Sequence, residues 1–123
     1  MKMKYEAIKQ LSQGEVEAAI LRNDPEELCL AVLSAALHFD DSDWAEDVCW
    51  RLSQHEHFNV RGNVIQGFGH ISRIHGKLNQ KQIKPVIEAA LNDGNEAVRG
   101  QADDTADDVE WFLKWKINRP GNH

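Results

Sequence analysis

Cysteine is scarce in this chain, which limits the metal chemistry that the fold can support. Only two of the 123 residues are cysteines, Cys29 and Cys49, so a zinc site of four thiolates is excluded. Both lie among apolar neighbours in segments with helical spacing. Because free cysteine is one of the most frequently buried residue types, we predict two buried free thiols.

Long apolar runs are also missing. The longest nearly uncharged stretch covers residues 28–37, about half of the roughly 20 residues that a bilayer crossing requires. Residues 1–6 have lysines but no apolar run and no small-residue cleavage site after them, so we expect no secretory signal. These absences predict a cytoplasmic protein without a membrane span.

Basic side chains are in the minority. The 20 acidic residues outnumber the 14 basic ones, and the formal net charge is −6. An acidic protein is repelled by the phosphates of DNA and RNA and attracted to basic proteins. We therefore expect a basic protein partner and no direct contact with nucleic acid.

Catalytic motifs are not evident. The sequence has no glycine-rich phosphate loop and no Ser-His-Asp order, and His55-Glu56-His57 lacks the four-residue histidine spacing of a helix-borne zinc motif. We expect neither an enzyme nor a bound metal or cofactor, and we assign these histidines to a turn. A metal-dependent hydrolase, with His38, His70 and His75 as further candidate ligands, stays open as the minority alternative.

An internal repeat is the most informative feature that is present. Val60-Arg61-Gly62 returns as Val98-Arg99-Gly100, and the same offset aligns Val48 with Val86 and Ile71 with Val109. A repeat of this length is a supersecondary unit that buries its apolar face only by stacking on a neighbour. The sequence therefore predicts one all-α domain, a short solenoid of stacked antiparallel helical pairs.

Turn residues divide this domain into helices. The predicted helices cover residues 4–12, 15–22, 26–38, 44–54, 58–74, 80–91 and 96–116. They group into N-terminal capping helices in residues 1–40, one repeat in residues 43–76, a second repeat in residues 79–117 and a tail in residues 118–123.

Local signals refine several of these helices. Asp24 followed by Pro25 is typical of an N-cap and a first helical position, and Asn79 is a second predicted cap. We place Pro85 in or near the first turn of its helix, where a missing N–H costs little. Apolar residues surround the segment 26–38, which predicts burial on two sides.

The runs Val60-Arg61-Gly62-Asn63-Val64-Ile65-Gln66-Gly67-Phe68-Gly69-His70-Ile71 and Val98-Arg99-Gly100-Gln101-Ala102-Asp103-Asp104-Thr105-Ala106-Asp107-Asp108 resemble HEAT-type helical repeats. More specifically, they resemble a group of small bacterial HEAT-like proteins associated with polymorphic toxin and contact-dependent growth inhibition systems. The resemblance covers about residues 44–115 and implies an immunity protein that neutralises a cognate toxin. A HEAT-like adaptor without a toxin partner is the alternative.

The last predicted helix carries a candidate partner surface. At about 100° per residue, its core arc is opposed by an acidic and aromatic arc. That arc contains Asp103, Asp104, Asp107, Asp108, Trp111 and Trp115. Four clustered acids without interspersed Lys or Arg favour a surface for a basic partner, whereas an ordinary solvated face with the tryptophans packed against the tail stays open.

The preceding repeat places a polar line beside this acidic arc. Gln66, His70 and Arg73 point away from the apolar stripe of their helix, together with Gly62 and Gly69. We predict a continuous surface that occludes a toxin's basic active-site groove, with the acids imitating phosphates if the toxin is a nuclease. Gly67 and Gly69 favour close helix packing, and close approach of a partner is the second interpretation.

Arg61 and Arg99 fall at the edge between core and surface. The planar guanidinium of arginine suits carboxylates at helix-stacking seams. We therefore predict that both arginines pair with acids near the turns, such as Asp93 or Asp43.

Overall fold

The computed structural model describes residues 9–120, and within that range the chain is entirely helical apart from its turns and tail. The helices are α1 (Gln13–Arg22), α2 (Pro25–His38), α3 (Ser42–Arg51), α4 (Phe58–His75), α5 (Gln80–Ala90) and α6 (Glu96–Leu113). The absence of strands from these residues confirms the all-α prediction. None of these helices combines the length and apolarity that crossing a membrane requires.

Side chains at the helix starts explain why the helices begin where they do. Ser12 caps α1 in a reciprocal arrangement, because its hydroxyl accepts from the backbone N–H of Glu15 while the Glu15 carboxylate accepts from Ser12. Asp24 caps α2 with Pro25 at the first helical position, as predicted. Asn79 caps α5, also as predicted. Each cap satisfies backbone donors that the helix itself leaves without partners.

The six helices form three consecutive pairs. Each odd-numbered helix packs on the even-numbered helix that follows it, and α4 packs against both α2 and α6. The three even-numbered helices thus form one continuous layer. This arrangement is compatible with the predicted solenoid, whereas the HEAT assignment stays a prediction.

One apolar cluster runs through all three pairs. Its largest fully buried side chains are Phe68, Leu28, Ile65, Ile71, Ile83, Ile87, Val16, Val32, Val48, Val60, Val64 and Val98. Members come from α1 to α6, so neighbouring pairs bury one another's faces. The prediction that α2 is buried on two sides holds for Leu28 and Leu33 but not for Leu30, which is 54% exposed.

The helix boundaries differ from the prediction at several ends. The predicted helix 4–12 lies largely outside the described residues, and residues 9–12 are not helical. Gly14, which separates the predicted helices 4–12 and 15–22, belongs to the first turn of α1. The predicted helix 44–54 ends at Arg51. The predicted helix 96–116 ends at Leu113, because Lys114 adopts a left-handed conformation with φ 61°.

Pro85 lies inside α5, which begins at Gln80, so it falls just after the first turn, near the predicted position. Proline has no N–H to donate to the carbonyl four residues earlier, here that of Lys81. Lys81 is an exposed residue in the first turn. Water can therefore reach the carbonyl that Pro85 leaves without a helical partner.

Arg61 links the two repeats, as predicted. Its Nε and Nη2 atoms each lie 2.9 Å from a carboxylate oxygen of Asp93, in the turn before α6. The guanidinium lowers the pKa of Asp93, and the pair is only partly exposed. Arg99 also reaches this turn, but it donates to the backbone carbonyl of Asp93 at 2.7 Å and not to a carboxylate.

Candidate functional site

The candidate site is a groove between α4 and α6, and close packing of these helices forms its floor. A Cβ atom added to Gly69 would lie 2.8 Å from Asp108 Oδ2 and 3.0 Å from Thr105 Oγ1. Thr105 also donates its hydroxyl to the Ile65 carbonyl at 2.9 Å. Because Ile65 meets Thr105 and Gly69 meets Asp108, the two helices run parallel with a fixed axial offset.

Gly67 faces the opposite side of α4. A Cβ atom there would lie 2.9 Å from Cys49 Sγ and 3.5 Å from Ala36 Cβ, inside the core. Gly67 and Gly69 therefore let α4 approach its neighbours on two sides, which confirms the prediction of close helix packing.

The groove brings together the polar line of α4 and part of the acidic arc of α6. It has a volume of about 310 Å³, and its walls are Gln66, His70, Arg73, Gln101, Asp104, Thr105 and Asp108. Five predicted partner-binding residues thus share one cavity: Gln66, His70 and Arg73 from α4, and Asp104 and Asp108 from α6. The predicted adjacency of the two lines is confirmed, whereas their role in binding stays a prediction.

His70 is the most buried titratable residue of this groove, with 5% of its surface exposed. Burial, and secondly the charge of Arg73, lowers the pKa of His70 to about 4. Arg73 Nη2 lies 2.9 Å from His70 Nδ1, so Nδ1 accepts a hydrogen bond and the proton of the neutral ring is on Nε2. His70 therefore lines the groove as a neutral side chain at neutral pH.

Asp104 and Asp108 supply the negative charge of the groove. Burial raises the pKa of Asp108, with the neighbouring carboxylates of Asp104 and Asp107 adding to this effect, while Arg73 opposes it. No ion pair within residues 9–120 includes Asp104, Asp108 or Arg73. The groove thus holds carboxylates without a direct cationic partner.

Asp103 and Asp107 are on the neighbouring row of α6, and both are paired. Arg119, in the tail, forms an ion pair with Asp103, and its Nη2 lies 2.7 Å from an oxygen of Asp107 and 2.7 Å from an oxygen of Glu110. Arg119 lowers the pKa of Glu110. No Lys or Arg lies between the four aspartates in the sequence, but Arg119 of the tail supplies a counter-charge to two of them.

Trp111 and Trp115 do not share a face, which corrects the prediction. Trp111 is 71% exposed on α6, and Lys114 Nζ lies 5.0 Å from the centroid of its ring. Trp115 follows the left-handed residue Lys114 and is buried, with its backbone N–H donating to the Val109 carbonyl at 3.3 Å. Of the two tryptophans, only Trp111 lies on the exposed acidic face.

The tail that follows α6, residues 114–120 in the structure, packs against the helices, and the sequence analysis did not predict this packing. The backbone N–H of Ile117 donates to Glu110 at 3.3 Å, and that of Asn118 donates to Glu88 at 2.9 Å. Ile117 is buried together with Trp115. These contacts hold the tail against α5 and α6 and bring Arg119 to the acidic row. The apolar residues Trp115 and Ile117 were the available signal that this segment packs.

A second acidic depression lies away from the groove, between α3 and the start of α5. It has a volume of about 510 Å³ and is lined by Asp43, Glu46, Asp47, Lys77, Leu78, Asn79 and Gln82. Glu46 accepts from the Asn79 backbone at 3.1 Å, and Lys77 Nζ lies 3.8 Å from Asp43 Oδ1. These cross-links join the two repeats and partly neutralise the depression.

The His55-Glu56-His57 turn makes helix-capping contacts. His57 Nδ1 accepts from the Asn59 backbone at the start of α4, and His55 Nδ1 accepts from the His57 backbone. His55 Nε2 lies 2.8 Å from Asn23 Oδ1. In the described part of the chain, no three His, Cys, Asp or Glu side chains are grouped as metal ligands would be.

Cys29 and Cys49 are both reduced thiols, as predicted, but they differ in burial. Cys49 is fully buried, and burial raises the pKa of its thiol to about 12. Cys29 is half-buried, so the prediction of two buried thiols is correct for Cys49 alone.

Comparison with known proteins gives one informative likeness. A chain in the crystal structure of a CDI complex from Cupriavidus taiwanensis matches with a TM-score of 0.75 at 24% sequence identity, covering 90% of this chain and 98% of that chain. The two chains share a fold. The likeness extends over nearly the whole length of both, and not over one helical pair alone.

Sequence-based comparisons give no match. No family model matches the chain, and no curated protein matches it.

Proposed function

We propose that this chain is an immunity protein of a contact-dependent growth inhibition system, which binds the toxic C-terminal domain of a secreted protein and neutralises it in the cytoplasm. The observation that carries the proposal is the shared fold with a chain of a CDI complex, at a TM-score of 0.75. The resemblance of residues 60–71 and 98–108 to small bacterial HEAT-like proteins implies the same function.

The groove between α4 and α6 is the proposed binding surface. Asp104 and Asp108 offer negative charge there, and Trp111 offers an exposed aromatic ring on the same side of α6. Tryptophan is enriched among the residues that contribute most to protein interfaces. The net charge of −6 favours a basic toxin. We propose a nuclease whose basic active-site groove is covered, so that its substrate is kept out.

Neutralisation in this proposal is stoichiometric, without catalysis or a cofactor. The groove offers a neutral histidine and two carboxylates, and it has no nucleophile paired with a base. The alternative is an adaptor that joins two other proteins through the same layer of helices. Identification of the partner distinguishes these functions.

The test is co-expression of this chain with the C-terminal domain of the secreted protein encoded beside it. We expect a one-to-one complex on size exclusion and restored growth of cells that produce the toxin domain. The variant Asp104→Lys/Asp108→Lys should lose protection while its circular dichroism stays helical, because it places positive charge opposite a basic partner.

The matched control is Asp43→Lys/Asp47→Lys in the second acidic depression, which changes the net charge by the same amount. We expect this variant to protect cells as the unaltered chain does. Absence of any complex with the unaltered chain would refute the immunity function. Loss of protection by the control variant alone would move the binding surface to α3 and α5.

A further inference from the structure

The tail shows how α6 holds an arginine side chain. Asp103, Asp107 and Glu110 are spaced i, i+4 and i+7, so they form one row along the helix. All three carboxylates contact the guanidinium of Arg119. Two aspartates one turn apart and a glutamate on the next turn therefore bind one guanidinium, which the packed tail brings to this helix.

A second row with the same spacing lies one residue further along. Asp104, Asp108 and Trp111 are also spaced i, i+4 and i+7, and Trp111 occupies the place that Glu110 has in the first row. Among residues 9–120, no arginine or lysine forms an ion pair with these two aspartates. This second row therefore repeats the spacing of the first, and Arg73 of α4, which lies in the same groove, forms no ion pair with it.

Trp111 already interacts with a cation of this chain, which supports a cation-binding role for the second row as well as for the first. Lys114 Nζ lies 5.0 Å from the ring centroid, within the range of cation–π attraction, and the side chain is nevertheless 71% exposed. An arginine stacks on such a ring more effectively than a lysine because its guanidinium is planar and weakly hydrated. The ring is thus accessible to a cation that comes from outside the chain.

Residues of α4 form the other wall of the cavity that contains the two aspartates of the second row. Gln66, His70 and Arg73 close the cavity of about 310 Å³ on the side opposite the aspartates. Arg73 is directed to His70 Nδ1 at 2.9 Å, and His70 is neutral at physiological pH. The charged groups that act on Asp108 are Arg73 on α4 and Asp104 and Asp107 on α6, so carboxylates outnumber the one guanidinium at this row.

We infer that Asp104, Asp108 and Trp111 form a receptor for one arginine side chain of the partner protein, with the carboxylates accepting hydrogen bonds from the guanidinium and the indole stacking on it. The inference deepens the proposed function, on which it rests for the identity of the partner. It also assigns the two rows of α6 to different tasks: Asp103, Asp107 and Glu110 hold the chain's own tail, and the second row holds the partner.

The test uses the isolated full-length chain and a blocked arginine, N-acetyl-arginine methylamide, as the probe. In a nitrogen-15 NMR titration, we expect saturable shifts of the Trp111 indole signal and of backbone signals near Asp104 and Asp108. Blocked lysine should bind at least about threefold more weakly because it lacks the planar fork of donors. The variant Asp104→Asn/Asp108→Asn should weaken arginine binding at least about fivefold.

Trp50 is the internal control, since it is 41% exposed on α3 and follows Asp43 and Asp47 with the same spacing. Those two aspartates already pair with Lys77 and Arg51, so we expect no arginine binding there. Equal shifts of the Trp50 and Trp111 signals, or undiminished binding by the asparagine variant, would overturn the inference. A chain that binds arginine here but forms no complex with the toxin domain would refute the proposed function alone. A complex that forms with a chain insensitive to arginine would refute the inference alone.

Discussion

The two acidic rows of α6 have almost the same sequence spacing and opposite environments. Asp103, Asp107 and Glu110 surround Arg119, which lowers the pKa of Glu110, whereas Asp104 and Asp108 have no ion-pair partner in residues 9–120 and burial raises the pKa of Asp108. The first row stabilises the fold. In the second row, burial disfavours the charge of Asp108, whereas Asp104 is exposed.

Removal of two charges from one row or the other gives the largest expected difference. We expect Asp104→Asn/Asp108→Asn to weaken binding to the toxin domain by at least about 30-fold, equivalent to about 2 kcal/mol, because a charge-assisted contact with the partner is lost. Asp103→Asn/Asp107→Asn removes the same charge, and it should change the dissociation constant less than about threefold. Calorimetric titration at one ionic strength measures both.

Equal losses in the two double variants would contradict the division between the rows. They would mean that α6 attracts its partner through the summed charge of the whole helix. In that case raising the salt concentration would weaken binding of both variants and of the unaltered chain together.

Loss of the tail contact comes next in size. Arg119→Gln should lower the free energy of unfolding by about 1–3 kcal/mol, because three carboxylates lose a charged donor and repel one another. The side chain of Arg119 is 21% exposed, so solvent compensates only in part. Urea unfolding followed by tryptophan fluorescence measures the loss, and Trp115 should become accessible to a collisional quencher.

Arg22→Gln is the matched control, since Arg22 pairs with Glu27 in a local contact whose side chains are 57% and 35% exposed. We expect this change to leave the free energy of unfolding almost unchanged, because an exposed local ion pair contributes little. Comparable losses from both substitutions would show that Arg119 contributes no more than an ordinary surface pair.

The smallest expected effect concerns pH: ionisation of Asp108 should lower the free energy of unfolding, whereas ionisation of Glu110 should raise it. Burial raises the pKa of Asp108 above its unfolded value, so the ionised group disfavours folding at neutral pH and this cost disappears as the pH falls through the folded pKa. Glu110 has a lowered pKa, so its contribution is present above the unfolded pKa and is lost as the pH falls through the folded one.

Asp108→Asn should therefore leave stability at pH 7 unchanged or increase it by up to about 0.5 kcal/mol, whereas Glu110→Gln should decrease it. The two effects should both diminish toward acidic pH. Urea titrations between pH 3 and pH 7 provide the comparison, and a destabilising Asp108→Asn at pH 7 would contradict it.

The features that could be predicted from sequence are the ones with local or periodic causes. Asp24, Pro25 and Asn79 act on their own helix, so their caps are visible in a few residues. The repeat of Val60-Arg61-Gly62 predicted the stacking of two helical pairs, and Arg61 meets Asp93 where that stacking places it.

The errors at the end of α6 have a physical reason. Helices commonly end at a left-handed glycine, and here Lys114 takes that conformation with φ 61°. No glycine or proline near Lys114 indicates in the sequence that the helix ends there. The helix was therefore extended too far and Trp115 was placed on the wrong side. Arg119 meets Asp103 across 16 residues of chain, and a contact made by an irregular tail leaves no periodic signal.

The hydrogen bond from Thr105 to the Ile65 carbonyl has a consequence for substitutions in the groove. Together with the close approach at Gly69, it fixes the spacing of α4 and α6 through buried groups of the chain itself. The side chains of Gln66, Arg73, Asp104 and Asp108 line the groove between these two packed helices. Substitutions at the exposed residues Arg73 and Asp104 should therefore leave the packing of the two helices unchanged.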